Sequence, residues 1–286
     1  MNETLQRALS GAVYILLLLS AVLYSTESFF VLFYFFLLIA VFEFSKLVRI
    51  HSLVPTLLAS LIYGSSAYML VYKVNIQYVD IVVLGITLFV SLISMIFLFD
   101  NKHTELRRVS KYIFLIGYII LPFISIMNIT ALGEEDPNSV YLLKTYKPKI
   151  LISVFILIWT NDTFAYIVGK SIGRNKLFER ISPKKTIEGF LGGLLFSLLA
   201  AFLISKFYMQ PKPIHFQKSL IIWGITAVLI SVFGTIGDLI ESKFKRIAGV
   251  KDSGNIMPGH GGILDRLDSI IFVAPFIFLL YKILPK

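Results

Sequence analysis

Residues 237–268 read GDLIESKFKRIAGVKDSGNIMPGHGGILDRLD, and a long apolar run lies on each side of this stretch. Asp238 follows the first run, whereas Asp265 and Asp268 stand at the start of the second. Three carboxylates deep in a membrane would together cost on the order of 10 kcal/mol if they were unpaired. We therefore expect a bound cation to compensate their charge.

The spacing of these polar side chains predicts a shared metal site. Asp238 and Ser242 are four residues apart and therefore lie on one face of a helix. Asp265 and Asp268 are three residues apart and share a face in the same way. Oxygen ligands of this kind suit Mg²⁺, which also takes substrate phosphates as ligands. We predict that the metal is bound by Asp238, Asp265 and Asp268, with Ser242 and Lys243 beside it in the catalytic centre.

Basic residues follow the first acid-bearing run, and we expect them to lie in a loop between two helices. This loop holds four bases and a glycine-rich segment around His260, in the order Lys243, Lys245, Arg246, Lys251 and 258–262. Bases, backbone amides and acidic metal ligands together are typical of a nucleotide phosphate site. Alternatively, Lys245 and Arg246 are interfacial anchors and His260 is a hydrogen-bonded loop residue. Neither the P-loop pattern nor the dinucleotide-binding glycine pattern is present.

The composition predicts an all-α integral membrane protein with about nine transmembrane helices. Of the 286 residues, 57% are hydrophobic, and the mean hydropathy is +0.81. The first run lacks a cleavage motif and is preceded by a single basic residue, so we expect a retained helix rather than a signal peptide. The expected spans are 8–24, 29–48, 53–72, 80–99, 112–129, 150–169, 186–205, 220–237 and 263–284.

The chemistry-bearing motifs divide the chain into two regions. Residues 1–149 are expected to form a transmembrane scaffold of about five helices. Residues 150–286 are expected to form a catalytic region of about four helices with two basic cytoplasmic loops. Within the scaffold, Glu43 is expected to pair with Lys46 or Arg49 near the membrane interface.

The charge distribution predicts the orientation of the chain. The net charge is +10, but the bases lie in short loops between apolar runs, which argues against a nucleic-acid partner. The N-terminus and the loops after spans two, four, six and eight hold 18 of the 27 lysines and arginines, including every arginine. This side is therefore expected to be cytoplasmic, with the site facing the cytoplasm. The chain has no cysteine, which excludes disulfides and thiolate metal sites.

A second polar segment begins inside the sixth span. Asn161 and Asp162 interrupt an apolar run. Because polar side chains within a membrane are energetically costly, we expect this pair to have a functional role. An interhelical hydrogen bond is the alternative for this pair. Lys184 and Lys185 precede the seventh span and follow Pro183, so they are expected at the membrane edge. We predict that these lysines contact phosphate, the alternative being that they only anchor the helix.

A family resemblance rests on these two segments. From Ser242 to Asp268 the chain contains the pattern S-x-F-K-R-x4-K-D-x5-P-G-H-G-G-x2-D-R-x-D. This pattern resembles the signature of the phosphatidate cytidylyltransferases, also called CDP-diacylglycerol synthases. The segment from Asp162 to Gly189 is similar to the same family, so the resemblance covers residues 159–269. Before residue 159 it rests only on span number and hydropathy.

The resemblance implies that CTP and phosphatidic acid react to give CDP-diacylglycerol and pyrophosphate. It also implies Mg²⁺ at Asp238 and Asp265, a second cation such as K⁺, nine spans, a homodimer and a place in the inner (cytoplasmic) membrane. The candidates for binding CTP or the lipid headgroup are Lys184, Lys185, Lys245, Arg246, Lys251, His260, Arg266 and Asp162. Of these, we expect Lys184 to act on phosphatidate and Lys251 to act on CTP.

Two other functions are compatible with the sequence. One is a related transferase or CTP-dependent kinase that acts on another membrane lipid. The other is a cation transporter, because carboxylates within a membrane also mark ion paths. A transporter does not account for the dense basic segment and its glycines.

Overall fold

The computed structural model describes residues 3–72, 74, 77–100, 106–132, 146–209 and 211–284, and helices make up most of it. In chain order the helices are α1 (Glu3–Tyr24), α2 (Thr26–Leu47), α3 (Val54–Val71), α4 (Gln77–Phe99), α5 (Arg108–Phe114), α6 (Leu121–Ile129), α7 (Pro148–Ile172), α8 (Ile187–Leu203), α9 (Phe216–Leu229), α10 (Thr235–Ala248) and α11 (Leu264–Ile283). Short π-helical segments join α5 to α6 (Leu115–Ile120), extend α8 (Ile204–Tyr208) and join α9 to α10 (Ile230–Gly234). A 3₁₀ turn (Pro213–His215) precedes α9.

The helices confirm the prediction of an all-α protein that crosses a membrane several times. Among the described residues, eight helical stretches are long and apolar enough to span a bilayer. The predicted ninth span is α11, whose 20 residues begin with the charged turn that holds Asp265 and Asp268. Large apolar side chains such as Phe42, Leu61 and Ile96 are exposed on the outer surface, where lipid tails would cover them.

Two helical stretches lie at the centre of the bundle. One is the stretch from α5 to α6, and the other is α11, which packs against α6 and α10. Apolar side chains on several faces of α11 are fully buried, as in Leu264, Leu267 and Ala274. A helix that is apolar all round belongs inside a bundle. The acidic first turn of α11 is therefore held by protein on most sides.

The eighth span corrects the predicted boundary at residue 237. The helix continues through α10, so the three bases expected in a loop, Lys243, Lys245 and Arg246, are helical. The helix continues because Ile240 and Phe244, one turn apart, are both buried and pack this segment against the core. The Phe244 ring packs against the rings of Phe44, Phe97, Phe114 and Tyr118. Gly249 then ends α10 in the left-handed conformation with φ of 72°.

A small hairpin precedes α8 and was not predicted. Strands β1 (Lys176–Phe178) and β2 (Ser182–Thr186) pair antiparallel, with Lys176 opposite Thr186. The Thr186 hydroxyl accepts a hydrogen bond from the backbone N–H of Gly189 at 3.1 Å, which confirms the predicted start of a helix at this position. Gly189 also allows α7 to approach closely, because a Cβ there would lie 2.7 Å from the Ala165 carbonyl oxygen. The hairpin and α7 thus bring Lys185 next to Asp238 on α10.

Candidate functional site

Three carboxylates meet where α10 faces the first turns of α11. One oxygen from each of Asp238, Glu241 and Asp268 lies within 4.8 Å of the others. Glu241 is 1% exposed, whereas the two aspartates are half-buried. We call these three residues the acidic cluster. Glu241 was not among the predicted ligands, although its position three residues after Asp238 places it on the same helix face.

The acidic cluster fits a divalent cation. Oε1 of Glu241 is buried and accepts no hydrogen bond from any described residue. Three nearby carboxylates repel one another, and hard oxygen ligands suit Mg²⁺. Two of the predicted ligands, Asp238 and Asp268, are therefore brought together, and Glu241 joins them.

Asp265 lies outside the acidic cluster and holds a loop instead. Its Oδ2 accepts hydrogen bonds from the backbone N–H of Gly262 at 2.7 Å and from the backbone N–H and hydroxyl of Ser253, both at 2.8 Å. Its Oδ1 lies 2.6 Å from the ammonium group of Lys245. These donors occupy the carboxylate on both sides. Metal binding by Asp265 stays a prediction.

Lys245 connects Asp265 to the acidic cluster. Its ammonium group forms ion pairs with Glu241, one turn earlier on α10, and with Asp265 on α11. The residue is 8% exposed, so its charge is largely removed from solvent. Buried charges are tolerated only when they are paired. Lys245 thus lies as a counter-charge between two helices, and substrate binding by this residue stays a prediction.

Lys185 approaches the acidic cluster from the hairpin. Its Nζ lies 2.5 Å from Oδ2 of Asp238. Burial disfavours the charged ammonium group, but the neighbouring carboxylates, Asp238 foremost, together hold the pKa of Lys185 above its usual range. Asp162 on α7 adds to this effect. Lys184, the other member of the predicted pair, is exposed.

Arg246 secures the hairpin to α10. Its Nε donates to the carbonyl oxygen of Ile181 at 3.4 Å, and its guanidinium also donates to the carbonyl oxygen of Val250 at 3.2 Å. Asp162 accepts a hydrogen bond from the amide of Asn161 at 3.3 Å. Both side chains therefore have partners within the protein. Substrate binding by Arg246 and Asp162 stays a prediction.

Ser242 and Lys243 were both predicted beside the metal, and the structure separates them. The Ser242 hydroxyl donates to Oδ1 of Asp238 at 3.2 Å, so it belongs to the rim of the acidic cluster. Lys243 lies about 140° around the helix from Asp238, because successive residues turn by about 100°. Its ammonium group donates to the carbonyl oxygens of Phe97 and Asp100, at the end of α4. Lys243 therefore supports the C-terminus of α4 rather than the acidic cluster.

Residues 249–262 form the connection between α10 and α11, which we call the site loop. Nδ1 of His260 lies 2.7 Å from the Ser10 hydroxyl on α1. Burial lowers the pKa of His260, and the charges of Arg266 and Arg7 lower it further. The contact with Ser10 ties the site loop to α1, and substrate binding by His260 stays a prediction. Lys251, near the start of the site loop, and Arg266, in the first turn of α11, are both exposed.

Comparison with known proteins identifies the family. A model of the cytidylyltransferase family matches residues 5–284. The chain belongs to this family. It is 34% identical over 98% of its length to a phosphatidate cytidylyltransferase of Bacillus subtilis, of which the match also covers 98%. Phosphatidate cytidylyltransferases of Staphylococcus aureus and Staphylococcus saprophyticus are 49% and 47% identical over 46% of the chain and 48% of each relative.

The N-terminal helices of this cytidylyltransferase also reach the site. Glu43 on α2 was expected to pair with Lys46 or Arg49, but its carboxylate accepts hydrogen bonds from the start of α11 and lies 3.1 Å from the Ser253 hydroxyl oxygen. The signal available in the sequence was an acidic residue inside an apolar span. Its partners lie more than 200 residues later, so the sequence did not reveal them.

Proposed function

We propose that this protein transfers CMP from CTP to phosphatidic acid and releases pyrophosphate. The observation that carries the proposal is the acidic cluster of a cytidylyltransferase between α10 and the start of α11, with Lys185 and Lys245 beside it. The phosphatidate cytidylyltransferase of Bacillus subtilis, which matches over nearly the whole chain, supports phosphatidate as the acceptor.

The reaction joins a phosphate oxygen of phosphatidic acid to the α-phosphorus of CTP, and the bond to pyrophosphate breaks. Phosphatidic acid is already an oxyanion, so little general-base help is required. The site must reduce the repulsion between two anions and align the attacking oxygen with the bond that breaks. A site at the membrane edge also meets both a lipid and a water-soluble nucleotide.

The acidic cluster is proposed to hold Mg²⁺ through Asp238, Glu241 and Asp268. A divalent ion at this position supplies positive charge to the triphosphate. Asp265 is a further candidate ligand, and a second cation such as K⁺ is proposed from the family resemblance alone. Of the proposed metal ligands, Glu241 is the one that the sequence analysis did not predict.

Three exposed bases lie on the segments next to the acidic cluster and are proposed to contact phosphate oxygens. Lys251 in the site loop and Arg266 on α11 are proposed to bind the triphosphate of CTP. Lys184 on the hairpin lies beside the start of α8 and is proposed to bind the phosphate of the lipid. The hydrogen bonds of lysine and arginine to phosphate are charge-assisted, which makes them strong. Lys185 and Lys245 keep their carboxylate partners and neutralise the surroundings of the acidic cluster.

The direct test is turnover by purified protein supplied with labelled CTP and phosphatidic acid. We expect CDP-diacylglycerol and pyrophosphate in equal amounts, and only when Mg²⁺ is present. Diacylglycerol and an isoprenoid ether phosphate serve as alternative acceptors. Phosphorylation of diacylglycerol would instead establish a kinase, and turnover only with the ether phosphate would establish a related transferase. Cation flux into proteoliposomes without any turnover would establish a transporter.

We propose that the site faces the cytoplasm from the inner membrane, which the distribution of lysine and arginine supports. Because the chain has no cysteine, one cysteine at the exposed Asn255 of the site loop reports its side directly. Ser253 is unsuitable, since it is buried and bonded to Asp265. We expect an impermeant maleimide to label Asn255→Cys only after the cells are opened. The control is Tyr78→Cys, exposed at the start of α4, which should react on intact cells; the reverse pattern would invert the topology.

The assembly and the division of the chain are further proposals. A homodimer is supported by the family resemblance, and the mass of the protein in detergent tests it. Residues 150–286 are proposed to carry the catalytic groups, because the acidic cluster and the bases around it all lie there. Residues 1–149 are proposed to act mainly as a scaffold, although α1 and α2 contact the site loop.

A further inference from the structure

Glu43 is a buried carboxylate in the second membrane helix, α2, and its exposed fraction is 2%. Oε2 accepts from the backbone N–H of Leu264 at 2.8 Å and lies 3.1 Å from the Ser253 hydroxyl oxygen, whose single hydrogen is shared between Glu43 and Asp265. Oε1 accepts from the backbone N–H of Ile263 at 3.2 Å. Two backbone N–H groups and one shared hydroxyl from one segment therefore meet one carboxylate from the opposite half of the chain.

These donors include the first backbone N–H groups of α11. Such groups have no acceptor within their own helix and carry the positive end of the helix dipole. Ile263 precedes α11 as its N-cap residue, and its side chain makes no capping hydrogen bond. Glu43 thus supplies from α2 a negative acceptor for these two N–H groups, in addition to Asp265 in the first turn of α11 itself.

Ser253 links Glu43 to Asp265. Its hydroxyl lies 3.1 Å from Oε2 of Glu43 and 2.8 Å from Oδ2 of Asp265, so the two carboxylates hold the site loop from opposite sides. Two glycines of the loop fit closely around Glu43. A Cβ on Gly254 or Gly262 would collide with the Glu43 carboxylate. The path of the site loop is therefore shaped around this side chain.

We propose that Glu43 is a positioning residue for nucleotide transfer. It fixes the site loop and the start of α11, and it thereby sets where Lys251 and Asp268 lie relative to the acidic cluster. Glu43 itself does not touch the substrates. The catalytic part of this proposal rests on the proposed function, whereas the hold on the loop does not.

The first measurement reports the hold on the loop without any substrate. Met257 is buried in the site loop, and its backbone N–H donates to the Gly261 carbonyl oxygen at 3.0 Å. In this cysteine-free chain, the labelling rate of Met257→Cys reports how often the loop opens. Glu43→Gln keeps the size of the side chain but removes its charge and one acceptor. We expect labelling about ten- to a hundredfold faster, as for the loss of one charge-assisted hydrogen bond.

The second measurement tests the positioning of the nucleotide site. Glu43→Gln should raise the KM and the Kd for CTP by about tenfold or more, because the site loop carries Lys251. A lesion that only reduced the folded fraction would lower kcat and leave the Kd for CTP unchanged. The matched control is Ser45→Ala, also buried on α2, which should match the parent in labelling rate and in CTP binding.

Each outcome decides the proposal. Labelling of Glu43→Gln within twofold of the control would overturn the hold on the loop, and faster labelling with unchanged CTP binding would overturn the positioning role. If Glu43→Gln does not fold, Ser253→Ala breaks the same link and is measured in the same way. Absence of turnover in the parent would reject the proposed function alone, because labelling and CTP binding are measured without phosphatidic acid.

Discussion

Asp238→Asn is expected to lower kcat by on the order of a hundredfold to a thousandfold at saturating substrates. Asparagine keeps the shape of the side chain but removes one charge of the acidic cluster, which is proposed to hold Mg²⁺. It also removes the partner of Lys185, whose Nζ lies 2.5 Å from Oδ2 of Asp238. Both effects act on the charge distribution that the transition state requires. The measurement is CDP-diacylglycerol formation over a range of Mg²⁺ concentrations.

The control applies the same substitution to a membrane carboxylate far from the acidic cluster. Asp80 lies in the first turn of α4, where its Oδ2 is 3.6 Å from the ammonium group of Lys282. Asp80→Asn should leave kcat close to the parent value, because this pair lies at the opposite end of α4 from Lys243. Near-parent activity of folded Asp238→Asn would remove Asp238 from the catalytic centre.

Lys245→Met is expected to destabilise the protein by about 3–5 kcal/mol, as for the loss of one partner from a buried ion pair. Without this ammonium group, Glu241 and Asp265 lose their shared counter-charge. A divalent cation at the acidic cluster then becomes the main source of positive charge. We therefore expect Mg²⁺ to raise the Tm of Lys245→Met in detergent more than it raises the Tm of the parent.

Lys243→Met is the matched control for this experiment. The two lysines are both buried and lie two residues apart on α10, but Lys243 contacts the end of α4 instead of a carboxylate. Its loss should also lower the Tm, with a response to Mg²⁺ equal to that of the parent. If Lys245→Met melts at the parent temperature in the absence of Mg²⁺, the carboxylates around it do not depend on its charge.

The transmembrane spans and the segments that carry the functional motifs could be predicted from the sequence, because both depend on residues that are close together in the chain. Whether a segment enters a bilayer depends on the summed hydropathy of about 20 consecutive residues. Each of the nine expected spans accordingly corresponds to a helical stretch of the described chain and extends beyond it by at most one residue at either end. The start of α8 at Thr186 was likewise predictable, since a capping side chain acts within its own first turn. The signature between Ser242 and Asp268 pointed to the family from residue order alone.

The partners of each charged side chain were decided only by the tertiary structure. Continuation of the helix through α10 placed Glu241 in the acidic cluster and turned Lys243 away from it. Asp265 contacts Ser253 and Lys245, and Glu43 contacts residues more than 200 positions later in the chain. Such pairings depend on how each helix is rotated and packed against its neighbours, which hydropathy does not encode. The sequence by itself therefore determined which residues carry charge into the membrane, and the packing of the helices determined which charges meet.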